Sequence, residues 1–305
     1  MNKLMKEILD YLVTRYEKAT GKQMIHDDTM DSEQGRYHFR ELNDNLIEPM
    51  LGPAEKQYGE ADGKELEVKM RAIRSSSAMT YNLFGNGNSI INENDQSIKS
   101  GVYQVEFEKQ LKTIKRSPRK ANLDAFLSSD EALIFFEMKM TEWIFNDPGN
   151  VSVNYLDKGH YFDPDSFETF EKLIKGIVDE KPVDSKDYPS ALNRYDGVQM
   201  FKHLLGVYNY LMQEDKGKHK HVRLVNCVWE LPDSAEISKE AWEQYRKLQK
   251  LEEDEFMKFY AAAQPVIELI NEKDIDFDIL FIPVKDLIAI LNKTDEQIAF
   301  LNRYL

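Results

Sequence analysis

An acid and a lysine two residues apart share one face of a β-strand, where the acid can hold a cation and the lysine can face a phosphate. The sequence holds six acid-any-lysine triplets, ending at Lys64, Lys69, Lys139, Lys181, Lys186 and Lys216. Five lie in polar or helical surroundings. Glu137-Met138-Lys139 alone lies inside a strongly apolar run, Leu133 to Met140. Charges placed there cost desolvation unless they are paired, metal-bound or open to a cleft. The preceding apolar run, 121–127, contributes Asp124. A two-residue turn at Ser129-Asp130, or a four-residue one at 128–131, sets Leu127 against Ala132 and Asp124 against Phe135. Asp124 is then diagonal to Glu137, about 7–8 Å away at Cα, close enough for two carboxylates to share one cation. A turn of odd length puts them on opposite faces. Oxygen ligands favour Mg²⁺ or Mn²⁺ over zinc, and such an ion polarises a phosphate and acidifies water. Lys139 would orient the water or neutralise charge at phosphorus. The competing reading is a Glu–Lys pair at a sheet margin, with Asp124 a surface acid near the turn.

The elements that must position these residues follow from periodicity. Residues 1–20 have helical spacing, and 21–64 are polar with Gly and Pro breaks that predict loops. Leu66, Met70, Ile73, Ala78 and Tyr81 predict a helix from Glu65 to Gly85. Strands are predicted at 102–108, 121–127 and 132–140, a helix at 195–212 and a strand at 221–231. Proline-rich 144–194 reads as an insertion around a helix near 167–178. Beyond Ser234 the chain is helical to about Glu272, then alternates at Phe277, Ile279 and Phe281, and two short helices end it. Thr294 with Gln297 is a capping-box signature for the last helix, 295–304. The chain thus divides into an N-terminal helix with loops (1–64), a core (65–232) and a mainly helical C-terminal extension packed on it (233–305). The core order is helix, three strands, helix, strand, an α/β pattern.

At this point the sequence resembles the PD-(D/E)XK nuclease superfamily, in particular a poorly characterised bacterial branch of restriction-endonuclease-like proteins. Three stretches carry the resemblance: Arg74 to Gly85 on the first helix, Asn122 to Phe126 with Phe136 to Lys139 on the hairpin, and Gln199 to Leu205 on the second helix. It spans roughly residues 65–232 and leaves both ends uncovered. The resemblance implies an αβββαβ core, a mixed central sheet flanked by helices, with helical N- and C-terminal additions. It further implies Asp124 and Glu137 as metal ligands, Lys139 as the catalytic lysine and Met138 as the donor of a backbone carbonyl. Leu123 stands where the motif has proline. The same resemblance brings Ser77, Tyr81 and Asn82 near the cleft, against helix packing with Asn82 as a terminal cap. It places Gln199 or Lys202 near the scissile phosphate.

Other candidates divide between chemistry and packing. Glu67 could supply an accessory acid or pair with Arg71, and Glu106 or Glu108 could reach the metal or remain solvated. His203 could be buried and hydrogen-bonded, and His219 with His221 lacks zinc-spaced partners. Trp242, Tyr245, Phe256, Phe259 and Tyr260 could stack bases but more often pack a core. Single Cys227 lies in an apolar run, forms no internal disulfide and fits a cytoplasmic address. No run is long enough to span a membrane, and no Walker loop, dinucleotide fingerprint or G-x-S-x-G elbow is present. A net charge of -14 argues against indiscriminate coating of nucleic acid. One segment reverses the sign: Lys109, Lys112, Lys115, Arg116, Arg119 and Lys120 put six cations into twelve residues without an acid, either as a solvated loop or as a phosphate contact. The expectation is a Mg²⁺- or Mn²⁺-dependent nuclease whose partner is nucleic acid, DNA before RNA, with no membrane. The alternative is an inactive nuclease-fold module that binds nucleic acid or a protein, and weaker still is a partner-docking role for the C-terminal helices.

Overall fold

The structure, a computed structural model, describes every residue except 31–34, 61–64, 86–87, 92–96, 117–119, 146–147, 180–186 and 292–294. Arg119 and Thr294 therefore lie outside the described residues. A six-stranded mixed sheet is the frame, ordered β1 (Asn88–Ile91), β2 (Gly101–Leu111), β3 (Ala121–Ser128), β4 (Ala132–Lys139), β7 (His221–Val228) and β8 (Asp276–Pro283). The first four strands pair antiparallel, whereas β4, β7 and β8 run parallel. β4 and β7 are buried on both faces, and β4 is apolar without a break from Ala132 to Phe136, a pattern typical of parallel strands.

Two hydrophobic layers cover the sheet. On one face pack α1 (Lys3–Thr20), α2 (Gly52–Glu60), α3 (Ser76–Phe84) and the C-terminal α8 (Val284–Ile290) and α9 (Asp295–Tyr304), around Ile134, Phe136 and Met138. The other face carries α5 (Phe167–Ile177), α6 (Gly197–Tyr210) and the second half of α7 (Lys239–Asn271), around Leu133 and Phe135. A short helix, α4 (Glu142–Phe145), follows β4, and β5 (Asn150–Ser152) pairs with β6 (Asp187–Pro189) in a separate two-stranded sheet. This is the restriction-endonuclease-like α/β fold. The predicted strands and second helix are present within a few residues, and Phe277 to Phe281 form β8, which joins the central sheet.

Three local expectations are corrected. The helix predicted from Glu65 begins only at Ser76, where the Ser75 side chain accepts the Ala78 N–H; Lys69–Arg71 is a single 3₁₀ turn. The run of three serines offers the backbone side-chain bonds that compete with a helix interior and suit a cap. A helix missed in the polar N-terminal region, α2, starts at Gly52-Pro53, because proline is tolerated in a first turn. The β3–β4 register also differs by two residues. Leu127 pairs with Ile134, not Ala132, because Ser129 N–H donates to Ala132 O and the reversal falls on Asp130-Glu131.

Candidate active site

β3 and β4 pair regularly from Ser128↔Leu133 to Ala125↔Phe136, and one step further the same register sets Asp124 opposite Glu137. There the strands part: Asp124 Oδ2 instead accepts the Met138 N–H at 2.6 Å. The alternation of faces breaks at the same point, since Leu123 belongs to one apolar layer while Ala125 and Leu127 belong to the other. On the neighbouring strand the break recurs, with Phe107 in one layer and Leu111 in the other, and between them Glu108 has φ 52°. A left-handed glutamate is an uncommon, costly backbone state. Its result is a kink across two strands that turns both acids into one cleft.

The cleft has a volume of about 490 Å³, and Asp124, Glu137, Lys139, Gln199, Glu108 and Glu65 all line it. Lys139 Nζ lies 2.7 Å from Glu137 Oε1 and donates to Gln199 Oε1 at 2.6 Å. Gln199 is held in turn by α6, whose N-cap Asp196 accepts the Gln199 N–H at 2.9 Å. The turn before that cap is fixed by Glu255 of α7, a buried carboxylate that accepts the backbone N–H groups of Asn193, Arg194 and Tyr195 at 2.7–3.0 Å. Glu137, only 3% exposed, also has His203 Nε2 at 2.8 Å from Oε2, within ion-pair reach but not aligned for a hydrogen bond.

Electrostatics separates the acids. Burial pushes Glu137 upward, but the Lys139 ammonium and then His203 outweigh it and hold the carboxyl down at about 2. Asp124 is pushed well above the usual carboxylate range by burial and by Glu137 and Glu108, against the smaller pull of Lys139 and the Met138 N–H. Burial, then Glu65 and Glu137, push Glu108 up to about 8. Lys139 would lose its proton more readily on burial alone; Glu137, Asp196 and Glu142 reverse this and raise it above its ordinary value. The lysine is therefore a fixed cation, and the acids around it repel one another.

Among the described residues no group of three His, Cys, Asp or Glu side chains encloses a metal by itself. The donor set nonetheless suits Mg²⁺ or Mn²⁺, which rest on one or two carboxylates and complete their shell with water and substrate phosphate. The mutual repulsion of Asp124, Glu137 and Glu108 is what a divalent cation would relieve.

The remaining sequence candidates fall on both sides of this boundary. Ser77 lines the cleft and donates to Glu65 Oε2 at 3.0 Å. Tyr81 and Asn82 do not line it. Tyr81 OH donates to Pro49 O, and Asn82 Oδ1 accepts the Ile47 N–H while Nδ2 donates to Asn45 O and Tyr304 OH, so both bolt α3 to its neighbours. Asn82 lies inside the helix, not at its end. Lys202 is not among the described lining residues. Glu67 is exposed and Glu106 pairs with Lys109 at 2.9 Å, so the further acids that reach the cleft are Glu65, Glu108 and Glu142. Lys112, Lys115, Arg116 and Lys120 are exposed on the β2–β3 loop, whose backbone is pinned by Asn209 Nδ2 donating to Lys112 O and Thr113 O. Tyr245 and Phe259 are buried, and Phe256 stacks on Phe281, which makes the C-terminal aromatics packing residues. No described helix is long and apolar enough to cross a membrane.

A mixed sheet whose central hairpin splays to present an aspartate, a glutamate and a lysine to one cleft defines a restriction-endonuclease-like protein. The family model described as restriction endonuclease associating with ARP matches residues 12–256, and the chain belongs to that family. No curated protein and no solved structure matches it.

Proposed function

We propose that this protein is a divalent-metal-dependent nuclease that hydrolyses phosphodiester bonds, with DNA as its substrate and the cytoplasm as its address. The observation that carries the reading is that Asp124, Glu137 and Lys139 meet in one cleft, with Lys139 held between Glu137 and Gln199. Asp124 and Glu137 would hold Mg²⁺ or Mn²⁺, with the Met138 carbonyl beside them. When bound, the ion supplies Lewis acidity for the phosphate and a water acidified for attack. Lys139 keeps its proton through neutral pH, so its part is to stabilise charge developing on the phosphate, not to accept a proton. Gln199 aims it. The exposed cations of the β2–β3 loop carry the nucleic-acid backbone: Lys120 and Asp124 are four residues apart on one chain, about 13 Å at strand rise. The family description extends the proposal to a protein partner, the one it designates ARP.

The test is plasmid nicking with Mg²⁺ or Mn²⁺ beside calorimetric Mn²⁺ titration. Lys139→Ala is expected to keep metal but lose about 10²–10³ in rate, because a positioned charge is removed while the ligand oxygens remain. Asp124→Ala is expected to lose metal and activity together. Wild type that binds Mn²⁺ and cuts neither DNA nor RNA establishes an inactive binding module instead, and wild type that binds no metal removes the site.

A further inference from the structure

Space around Lys139 does not end at the cleft. A second chamber of about 170 Å³ shares Lys139, Glu142 and Gln199 with it and continues inward to Trp143, Met200, Asn226 and Glu252. Arg194 and Asp196 add charge to its walls beside Lys139, and the inner residues are of two kinds. Trp143 and Met200 are buried apolar side chains, whereas Asn226 and Glu252, each 2% exposed, are polar groups at the same depth. Asn226 stands on β7 opposite Glu137, and its Nδ2 has no hydrogen-bond partner. An unmet buried donor is costly, so it is retained where something else meets it. Glu252 reaches the chamber from α7. Burial pushes its carboxyl well above the ordinary range, and Lys139 only partly opposes this. That favours the protonated form, which both donates and accepts.

Size narrows the occupant. A cavity of about 150 Å³ takes one benzene ring. A chamber of 170 Å³ therefore admits one six-membered ring with its substituents, not a fused pair. Chemistry narrows it further: a carboxamide and a carboxylic acid complement an edge that carries donors and acceptors together. Enzymes that take a base out of the stack read its edge with such groups and hold its faces between aromatic and apolar side chains.

We propose, on the nuclease reading above, that this chamber receives one pyrimidine base turned out of the strand beside the phosphate at Lys139, its face against Trp143 and its hydrogen-bonding edge toward Asn226 and Glu252. Gln199 and Lys139 form the shared wall, so the entering base passes the pair that aims the reacting charge. Cutting would then depend on which base stands next to the bond.

The three tryptophans give three indole N–H signals in ¹⁵N-labelled full-length protein, and that of Trp143 reports the chamber. Titration with cytidine and thymidine is expected to move the Trp143 signal saturably, while adenosine and guanosine leave it in place. Asn226→Leu is expected to weaken the pyrimidine effect about tenfold, the worth of one hydrogen bond of about 1.4 kcal/mol, with the other two indole signals reporting that the variant is folded. No pyrimidine shift in wild type, or an equal shift with purines, overturns the proposal. Because free nucleosides are not cut, the readout stands apart from catalysis. Nicking without the pyrimidine shift removes the base pocket and leaves the nuclease, whereas the shift without nicking does the reverse.

Discussion

Glu108 combines a left-handed backbone with a carboxyl that its neighbours push up to about 8, against an ordinary value of 4.5. In the metal-free protein the folded state therefore holds this proton more tightly than the unfolded chain does. Its contribution to stability is fully present below about 4.5 and is lost as pH rises through about 8. Glu137 runs the other way, since a carboxyl held down at about 2 contributes above 4.5 and loses that contribution as pH falls toward 2. Glu108→Gln is expected to reduce the fall in melting temperature between pH 5 and pH 8 in chelator-treated protein, with Asp124 and Glu252, raised likewise, carrying the remainder, and to leave the acid limb in place. A variant whose melting curve keeps the alkaline slope undiminished would show that other acids carry it. At this scale the sequence identified the central three residues, because an acid and a lysine inside an apolar strand conflict with burial unless they have a role. It left Glu108 ambiguous, for a strand written as regular alternation gives no sign of the kink that turns it inward. Glu65 was hidden for a different reason: the carboxylate enters from a turn where helical spacing had been read.

Elements were legible wherever a single periodicity ran long enough, as in α1, α6, α7 and the three consecutive strands β2 to β4. They were not where short segments depend on a cap or on tertiary pairing, which is the case for α2, β1 and the 65–75 turn. Packing between elements adds a constraint that periodicity does not carry. Gly206 of α6 meets β2 so closely that an added Cβ would lie 2.7 Å from Leu111 Cβ, an atom fixed to the backbone. Gly206→Ala gains up to about 1 kcal/mol of helix propensity. The overpacking costs about 1–3 kcal/mol and the backbone of β2 must move to relieve it. The expected net outcome is a melting temperature lower by a few degrees, with the metal-free and metal-loaded proteins affected alike because the contact lies about one turn beyond His203. An unchanged or raised melting temperature would mean that α6 slides on the sheet at little cost.

Over the whole molecule a net charge of -14 opposes a polyanion, so any grip on nucleic acid depends on where the positive charge is concentrated. Lys112, Lys115, Arg116 and Lys120 are exposed on one loop, with no acid between Leu111 and Ala121 to neutralise them. Pinned by Asn209 and by Lys115 N–H donating to His160 O, residues 112–115 present their charges from a held backbone and lose less entropy on binding than a free tail would. Each phosphate neutralised on B-DNA contributes about 0.9 to the slope of log K against log salt. Replacing Lys112, Lys115 and Arg116 with glutamine is therefore expected to flatten the slope by up to roughly 2.7 if each makes one contact. The weakening should be nearly the same for unrelated sequences, because phosphate contacts position a duplex without reading it. Fluorescence anisotropy with labelled duplexes over 50–200 mM salt, in Ca²⁺ to permit binding, checks both points. A parallel slope in the triple variant would return the loop to solvent and oblige the protein to find its substrate by the cleft alone.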